Sequence, residues 1–153
     1  FLQYSADILD YRIVAVDTSA AHSNLGYLNF DRLAHLDNLL SEKREIPTLL
    51  FMHHPPINLS SSKPPEHEYE NYQMVKNFSE IMDRHPQVIT ILCGHIHRTF
   101  CSRINGSHLL VMPPLSKILN RDKALHSEIP KTAFNLHSFT KNAPVSTTVI
   151  TVD

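Results

Sequence analysis

The chain has 153 residues, 42% of them hydrophobic and 19% charged, which suits one folded domain and not a disordered chain. Lys plus Arg number 14 and Asp plus Glu 15, a formal net charge of -1, so there is no basic excess to neutralise a nucleic-acid backbone. The longest apolar runs are about five or six residues, far below the roughly 20 that span a bilayer, and the two cysteines, Cys93 and Cys101, make no disulfide framework. The expectation is a cytoplasmic protein with no nucleic-acid polymer and no membrane as partner. Three glycines exclude a Gly-rich phosphate loop, whereas eleven histidines make position the question to ask of the histidines.

The N-terminus, Phe1-Leu2-Gln3-Tyr4, has no basic stretch and no initiator Met, and reads as neither a signal peptide nor a natural start. Residues 11–17, Y-R-I-V-A-V-D, form a β-branched run ending in a carboxylate, predicted as a strand buried on both faces. A polar loop through 28 follows. Phe30, Leu33, Leu36, Leu39 and Leu40 recur at helical spacing to about Glu45, with Asn29 or Asp31 as the cap. Pro47 ends that helix and 48–52 is a second buried strand. His53-His54-Pro55-Pro56 opens a long polar loop reaching about Glu70. Tyr72, Val75, Phe78, Ile81 and Met82 define a second helix ending near His85-Pro86, and 88–93 is a third buried strand running into Gly94-His95-Ile96-His97. Segments 99–104 and 108–112 flank Asn105-Gly106, a hairpin signal. Residues 115–131 read as loop, and 133–139 with 145–152 as a closing hairpin. The order β-α-β-α-β followed by hairpins implies an α/β fold with a mixed sheet.

Two parallel strands ending at 52 and 93 deliver both histidine clusters to the carboxyl edge of the sheet, where open α/β sheets bind ligands. If 95–97 is extended, His95 and His97 point to one side, toward one metal or two adjacent ones. Gly94 removes a side chain where the strand must turn, and Pro55-Pro56 stiffens the chain after His53. Imidazoles without thiolates suit Zn, Fe, Mn or Ni. Alone, an H-x-H or a His-His-Pro-Pro is weak evidence; both together, each at the end of a buried strand, make His53, His95 and His97 the candidate ligands. His54 reads as a wall residue. Asp17 reads first as a structural hydrogen-bonding group that could also flank the site. His22, His35, His67, His85, His108, His126 and His137 read as surface or helix-end residues. The cysteines read as buried thiols, and Glu66, Glu68 and Glu70 as a solvated loop that could flank a substrate entrance.

The segments L-L-F-M-H-H-P-P at 49–56 and I-L-C-G-H-I-H at 91–97 resemble the calcineurin-like metallophosphoesterases, and most of all the bacterial class III cyclic-nucleotide phosphodiesterases. Val14 to Ser19, Gly26-Tyr27-Leu28 and Arg84 to Val88 extend the likeness over about residues 10–115. The resemblance implies a four-layered α/β/β/α sandwich and a two-metal hydrolase of phosphoester bonds, with His53 and His95 on one divalent ion and His97 on the other. The ions would activate the nucleophile and stabilise charge in an in-line displacement.

The departures are equally informative. The family's first half supplies an Asp-x-His, a Gly-Asp and a Gly-Asn-His, and none stands at a family position here. Residues 1–153 are therefore expected to be the C-terminal half of a metallophosphoesterase domain, with trailing β-hairpins and an open sheet edge covered by the missing half or by a second copy. The parent is expected to be a phosphodiesterase acting on a cyclic nucleotide or another small phosphodiester, the fragment alone to be inactive and to hold one metal or none. A non-catalytic histidine metal-binding module and an interaction domain with an incomplete site are the alternatives.

Overall fold

The computed structural model describes residues 2–57, 68–97, 99–113, 132–140 and 145–152. In chain order these form β1 (Tyr4–Ile8), β2 (Tyr11–Val16), α1 (Phe30–Ser41), β3 (Thr48–Met52), α2 (Tyr72–Arg84), β4 (Val88–Cys93), β5 (Phe100–Ile104), β6 (Ser107–Val111), β7 (Thr132–Ser138) and β8 (Ser146–Val152). Strands β1 to β6 make one mixed sheet in the order β1-β2-β3-β4-β6-β5, and β7 pairs with β8 apart from it. Strands β2, β3, β4 and β6 run parallel, and β1 and β5 close the edges antiparallel.

Both helices lie on one face of the sheet, because two successive crossovers of the same hand step in the same direction across it. Their buried stripes, Leu33, Leu36, Leu39 and Leu40 from α1 and Val75, Phe78, Ile81 and Met82 from α2, share one core with Val14, Leu50, Ile91 and Leu109. Asn29 caps α1 by accepting from the Arg32 amide at 3.1 Å, and Asn71 caps α2 by accepting from the Gln73 amide at 2.8 Å. Helix α1 stops at Ser41, short of the expected Glu45, because its apolar stripe ends at Leu40 and only polar and charged residues follow.

Strand β2 corrects one expectation. It is not buried on both faces: Arg12, Val14 and Val16 are buried while Tyr11, Ile13 and Ala15 are half-buried. The reason is that α1 and α2 cover only the face that carries Val14 and Val16; β1, a strand the sequence pattern does not signal, pairs with Tyr11 to Ala15 as an exposed antiparallel edge. The guanidinium of the buried Arg12 joins the two strands to α1, bonding Ser5 Oγ at 2.7 Å, Asp7 at 3.2 Å and Glu42. The Asn105-Gly106 turn between β5 and β6 has positive φ at both residues, 47° and 91°, the conformation that suits a two-residue hairpin. Residues 114–131 and 58–67, expected as loops, lie outside the described residues. None of the described helices is long and apolar enough to cross a membrane.

The C-terminus of α2 is clamped to α1 away from the histidine clusters. His85, 1% exposed, donates from Nε2 to Asp37 Oδ1 at 2.6 Å, and Arg84 bonds Asp37 Oδ2 at 3.0 Å. Burial opposes the charge on Asp37, but the bonds from His85 and Arg84 outweigh it and hold the carboxyl below its ordinary 3.8. Replacing Asp37 with Ala leaves a buried imidazole donor unmatched, so we expect urea denaturation at pH 7 to show a loss of about 1–3 kcal/mol. Because the carboxyl is depressed in the fold, its contribution is complete above pH 3.8 and is lost as pH falls through its folded value. The gap between wild type and D37A should close below that pH.

Candidate metal centre

Parallel pairing of β3 with β4 brings the two histidine segments to one edge. Past the last ladder pair, Phe51↔Leu92, the Gly94 amide donates to the His53 carbonyl at 3.0 Å and the Met112 amide to the Cys93 carbonyl at 2.9 Å. The ends of three parallel strands thus converge around His53. Beside it lies a hollow of ≈ 300 Å³ lined by Val16, Phe51, Met52, Leu92 and Met112.

The segment 94–97 is not extended, which corrects the reasoning that placed His95 and His97 on one side. The Ile96 amide bonds the Gly94 carbonyl at 2.8 Å, closing a three-residue turn with His95 at its centre and φ of 68°. This is the rare γ-turn of positive φ. His97 follows with φ of 52°. Gly94 does not supply the sharp turn: its φ is not positive, and a Cβ there would meet the His53 ring at ordinary distances, 3.5 Å to Nδ1 and 3.8 Å to Cε1. Its contribution is its backbone, bonded on both sides.

The turn swings His95 toward His53. His95 Nδ1 lies 3.3 Å from His53 Nε2, and Glu68 Oε2 lies 2.8 Å from His95 Nε2. His53 is open to solvent as a residue, yet its ring is partly sunk against the sheet edge. That desolvation, with repulsion from His95 and His97, lowers its pKa from 6.5. The facing nitrogens of the two rings form an imidazole donor set that fits a divalent ion of borderline softness. His97 is exposed and acts on His53 through its charge; it does not join the close group of donors, which comprises His53, His54 and His95 within 4.8 Å.

His54 belongs to that group by distance only. Its Nε2 lies 3.0 Å from the Asn24 carbonyl, which can only accept, so Nε2 carries the proton. Its Nδ1 therefore accepts from the Thr18 hydroxyl at 2.8 Å, and no lone pair is left for an ion. Burial pushes its pKa to about 4, so the ring is neutral. The ring is a strut between β3 and the loop after β2, and Tyr69 reinforces it by donating its hydroxyl to the His54 carbonyl at 2.8 Å. Pro55 and Pro56 follow, both buried.

Asp17 makes no contact with these imidazoles. It accepts from the Ser19 amide and hydroxyl at 2.9 and 2.6 Å, from the Leu2 amide at 3.0 Å, and meets Arg32 at 3.4 Å. Arg32 also bonds the Ser19 and Tyr27 carbonyls at 2.6 and 2.8 Å. This knot shapes the loop in which Thr18 and Asn24 hold His54. Burial opposes the Asp17 charge, but the Ser19 and Leu2 bonds and Arg32 keep its pKa below 3.8. Thr18, Asn24 and Tyr69 are site residues that sequence reasoning did not single out, and Glu68 it read only as part of a solvated loop that could flank a substrate entrance. The available signal was Gly26, one of three glycines. Gly26 bridges Tyr69 in parallel, and a Cβ there would lie 2.7 Å from the buried Tyr69 ring and 2.9 Å from His54 Cβ.

Of the remaining histidines, His85 caps α2 but is buried, not on the surface, and His67 and His126 lie outside the described residues. Asp83-Arg84-His85 spells an Asp-x-His, but it closes a helix with its imidazole tied to Asp37, on the far side from the cluster at the strand ends. Cys93 is a buried thiol, whereas Cys101, expected to be buried, is exposed because it sits on the edge strand β5.

A scan against models of known protein families matches none. The chain is 28% identical over 112 residues to a glycerophosphodiester phosphodiesterase of Enterobacter lignolyticus, covering 73% of this chain and 39% of that protein. It is 31% identical over 104 residues to a 3′,5′-cyclic-nucleotide phosphodiesterase of Nostoc, covering 68% of this chain and 38% of that protein. The chain therefore spans less than two fifths of the length of these curated relatives. In fold it is similar to a dimetal phosphatase from Danio rerio, with a TM-score of 0.64 over 97% of this chain and 60% of that one at 15% identity. Phosphodiesterases in sequence and a dimetal phosphatase in fold converge, and the chain belongs to the calcineurin-like metallophosphoesterase superfamily.

Proposed function

We propose that these residues carry the histidine half of a two-metal phosphodiester hydrolase site, on the C-terminal half of a four-layered α/β/β/α sandwich. The observation that supports it most is the facing pair His53 Nε2 and His95 Nδ1, 3.3 Å apart at the carboxyl edge of a parallel sheet. His53 and His95 hold one divalent ion and His97 the second. Bound there, the ions would supply Lewis-acid stabilisation of the phosphoryl charge and would acidify water so that it can lose a proton and attack near neutral pH.

The chain's own residues have three tasks. His53 and His95 turn imidazole nitrogens to a shared point, and desolvation lowers the pKa of His53, so that ring has less tendency to hold a second proton when an ion binds. The His54 strut, held by Thr18, Asn24 and Tyr69, keeps the His53 backbone from moving under that load. The apolar hollow beside His53 receives the organic part of a small ester. The relatives' names suggest a glycerophosphodiester or a 3′,5′-cyclic nucleotide as substrate. The anionic ligands that two adjacent cations require come from outside these 153 residues, since neither Gly-Asp nor Gly-Asn-His occurs in the sequence. Partial exposure of Phe51, at 38%, on the sheet face turned from the helices agrees with a further layer packing there.

Hydrolysis of bis(p-nitrophenyl) phosphate tests this reading. The full-length protein with added Mn²⁺ or Zn²⁺ should turn over, and the 153-residue chain alone should not; equal rates would overturn the division of ligands. Replacing His95 or His97 with Ala in the full-length protein should lower kcat/KM by more than about 100-fold, with melting temperature retained. Dialysis against a chelator should abolish activity, and a divalent ion should restore it. Activity that survives chelation would remove the metal from the mechanism.

A further inference from the structure

We propose that Glu68 is a positioning carboxylate for His95: it holds the ring proton on Nε2 and so presents a bare Nδ1 toward the point that His53 Nε2 also faces. The inference rests on the metal reading above and names a residue that the sequence pattern leaves in a solvated acidic loop.

The atoms dictate the proton's place. A carboxylate oxygen only accepts, so the 2.8 Å contact between Glu68 Oε2 and His95 Nε2 has the imidazole as donor. In the neutral ring the lone pair then sits on Nδ1, which is the atom 3.3 Å from His53 Nε2. The contact is sheltered, with the two side chains only 19% and 23% exposed. A carboxylate behind a ligating imidazole fixes its tautomer and orientation and raises its basicity. It also brings negative charge beside a group of imidazole donors.

Glu68 is held in place by its own backbone. The Gly26 amide donates to the Glu68 carbonyl at 2.6 Å, and the Glu70 amide donates to the Gly26 carbonyl at 3.0 Å. Tyr69, between them, is fully buried and anchored on the His54 carbonyl. Only glycine at 26 allows that approach, because a Cβ would overlap the Tyr69 ring. From the other side, the γ-turn at His95 directs the ring between Glu68 and His53. Two independent backbone devices thus meet at one hydrogen bond.

Two measurements on the full-length protein test this: long-range ¹H–¹⁵N correlation of labelled histidines without metal, and calorimetric titration with Zn²⁺. In wild type the His95 ring should be the Nε2–H tautomer. Glu68→Ala should shift that tautomer and weaken Zn²⁺ binding 10- to 100-fold. Glu68→Gln, whose amide oxygen still accepts, should keep the tautomer with a smaller loss of affinity. Unchanged tautomer and affinity in Glu68→Ala, with binding abolished in His53→Ala, would overturn the role of Glu68 and leave the metal site standing. Weakened binding with an unchanged tautomer would also overturn it, leaving a charge effect alone. Zn²⁺ binding that survives His53→Ala would overturn the metal reading and this inference with it.

Discussion

One hydrogen bond, from the Gly94 amide to the His53 carbonyl, governs the arrangement at the sheet edge. It continues the β3–β4 pairing beyond the last residues of both strands, so two segments far apart in sequence leave the sheet in fixed register. Without it, two loops would exit at independent angles and their imidazoles would have no common target. Parallel pairing makes this possible, because only parallel neighbours end at the same edge. Burial of the sheet by α1 and α2 then keeps that register from slipping, since a shift of one residue would turn Leu50 and Ile91 out of the core.

Beyond that bond the chain accepts strain. Left-handed backbone at His95 and His97 costs roughly 1–3 kcal/mol at each residue. Such a cost persists only where the surroundings over-determine the conformation. Here they do: Gly94 is bonded through both its amide and its carbonyl, and the His95 ring is gripped by Glu68 on one side and faces His53 on the other. A ring so held loses little conformational freedom when it binds an ion, which is the usual reason for storing strain at a site.

Charge is arranged with the same economy. His53 and His54 are kept neutral by desolvation, His54 the more so because it is buried. They nonetheless differ in use. His53 keeps a nitrogen directed at His95, whereas His54 spends both nitrogens on Thr18 and Asn24 and becomes part of the scaffold. Adjacent residues of identical type thus divide into ligand and strut according to which hydrogen-bond partners surround each ring. Proximity of nitrogens alone does not make that distinction.

Elements with strong periodicity were readable in the sequence for a direct reason. The leucines of α1, the apolar runs of β3 and β4 and the Asn-Gly turn each express their conformation locally. The convergence of His53 with the Gly94–His97 segment was readable too, because a β-α-β crossover returns each strand end to the same edge. Strand β1 was not, since its exposed edge residues carry no core signal. Only the tertiary structure decided the turn at His95, which short-range pattern rendered as extended, and showed how the His95 ring comes to face His53, a grouping that the family resemblance had implied without a geometry. Only it separated Glu68 from the acidic residues around it. That contact depends on Gly26 meeting Tyr69 across 43 positions of chain, and such a meeting is set by packing that no local pattern encodes.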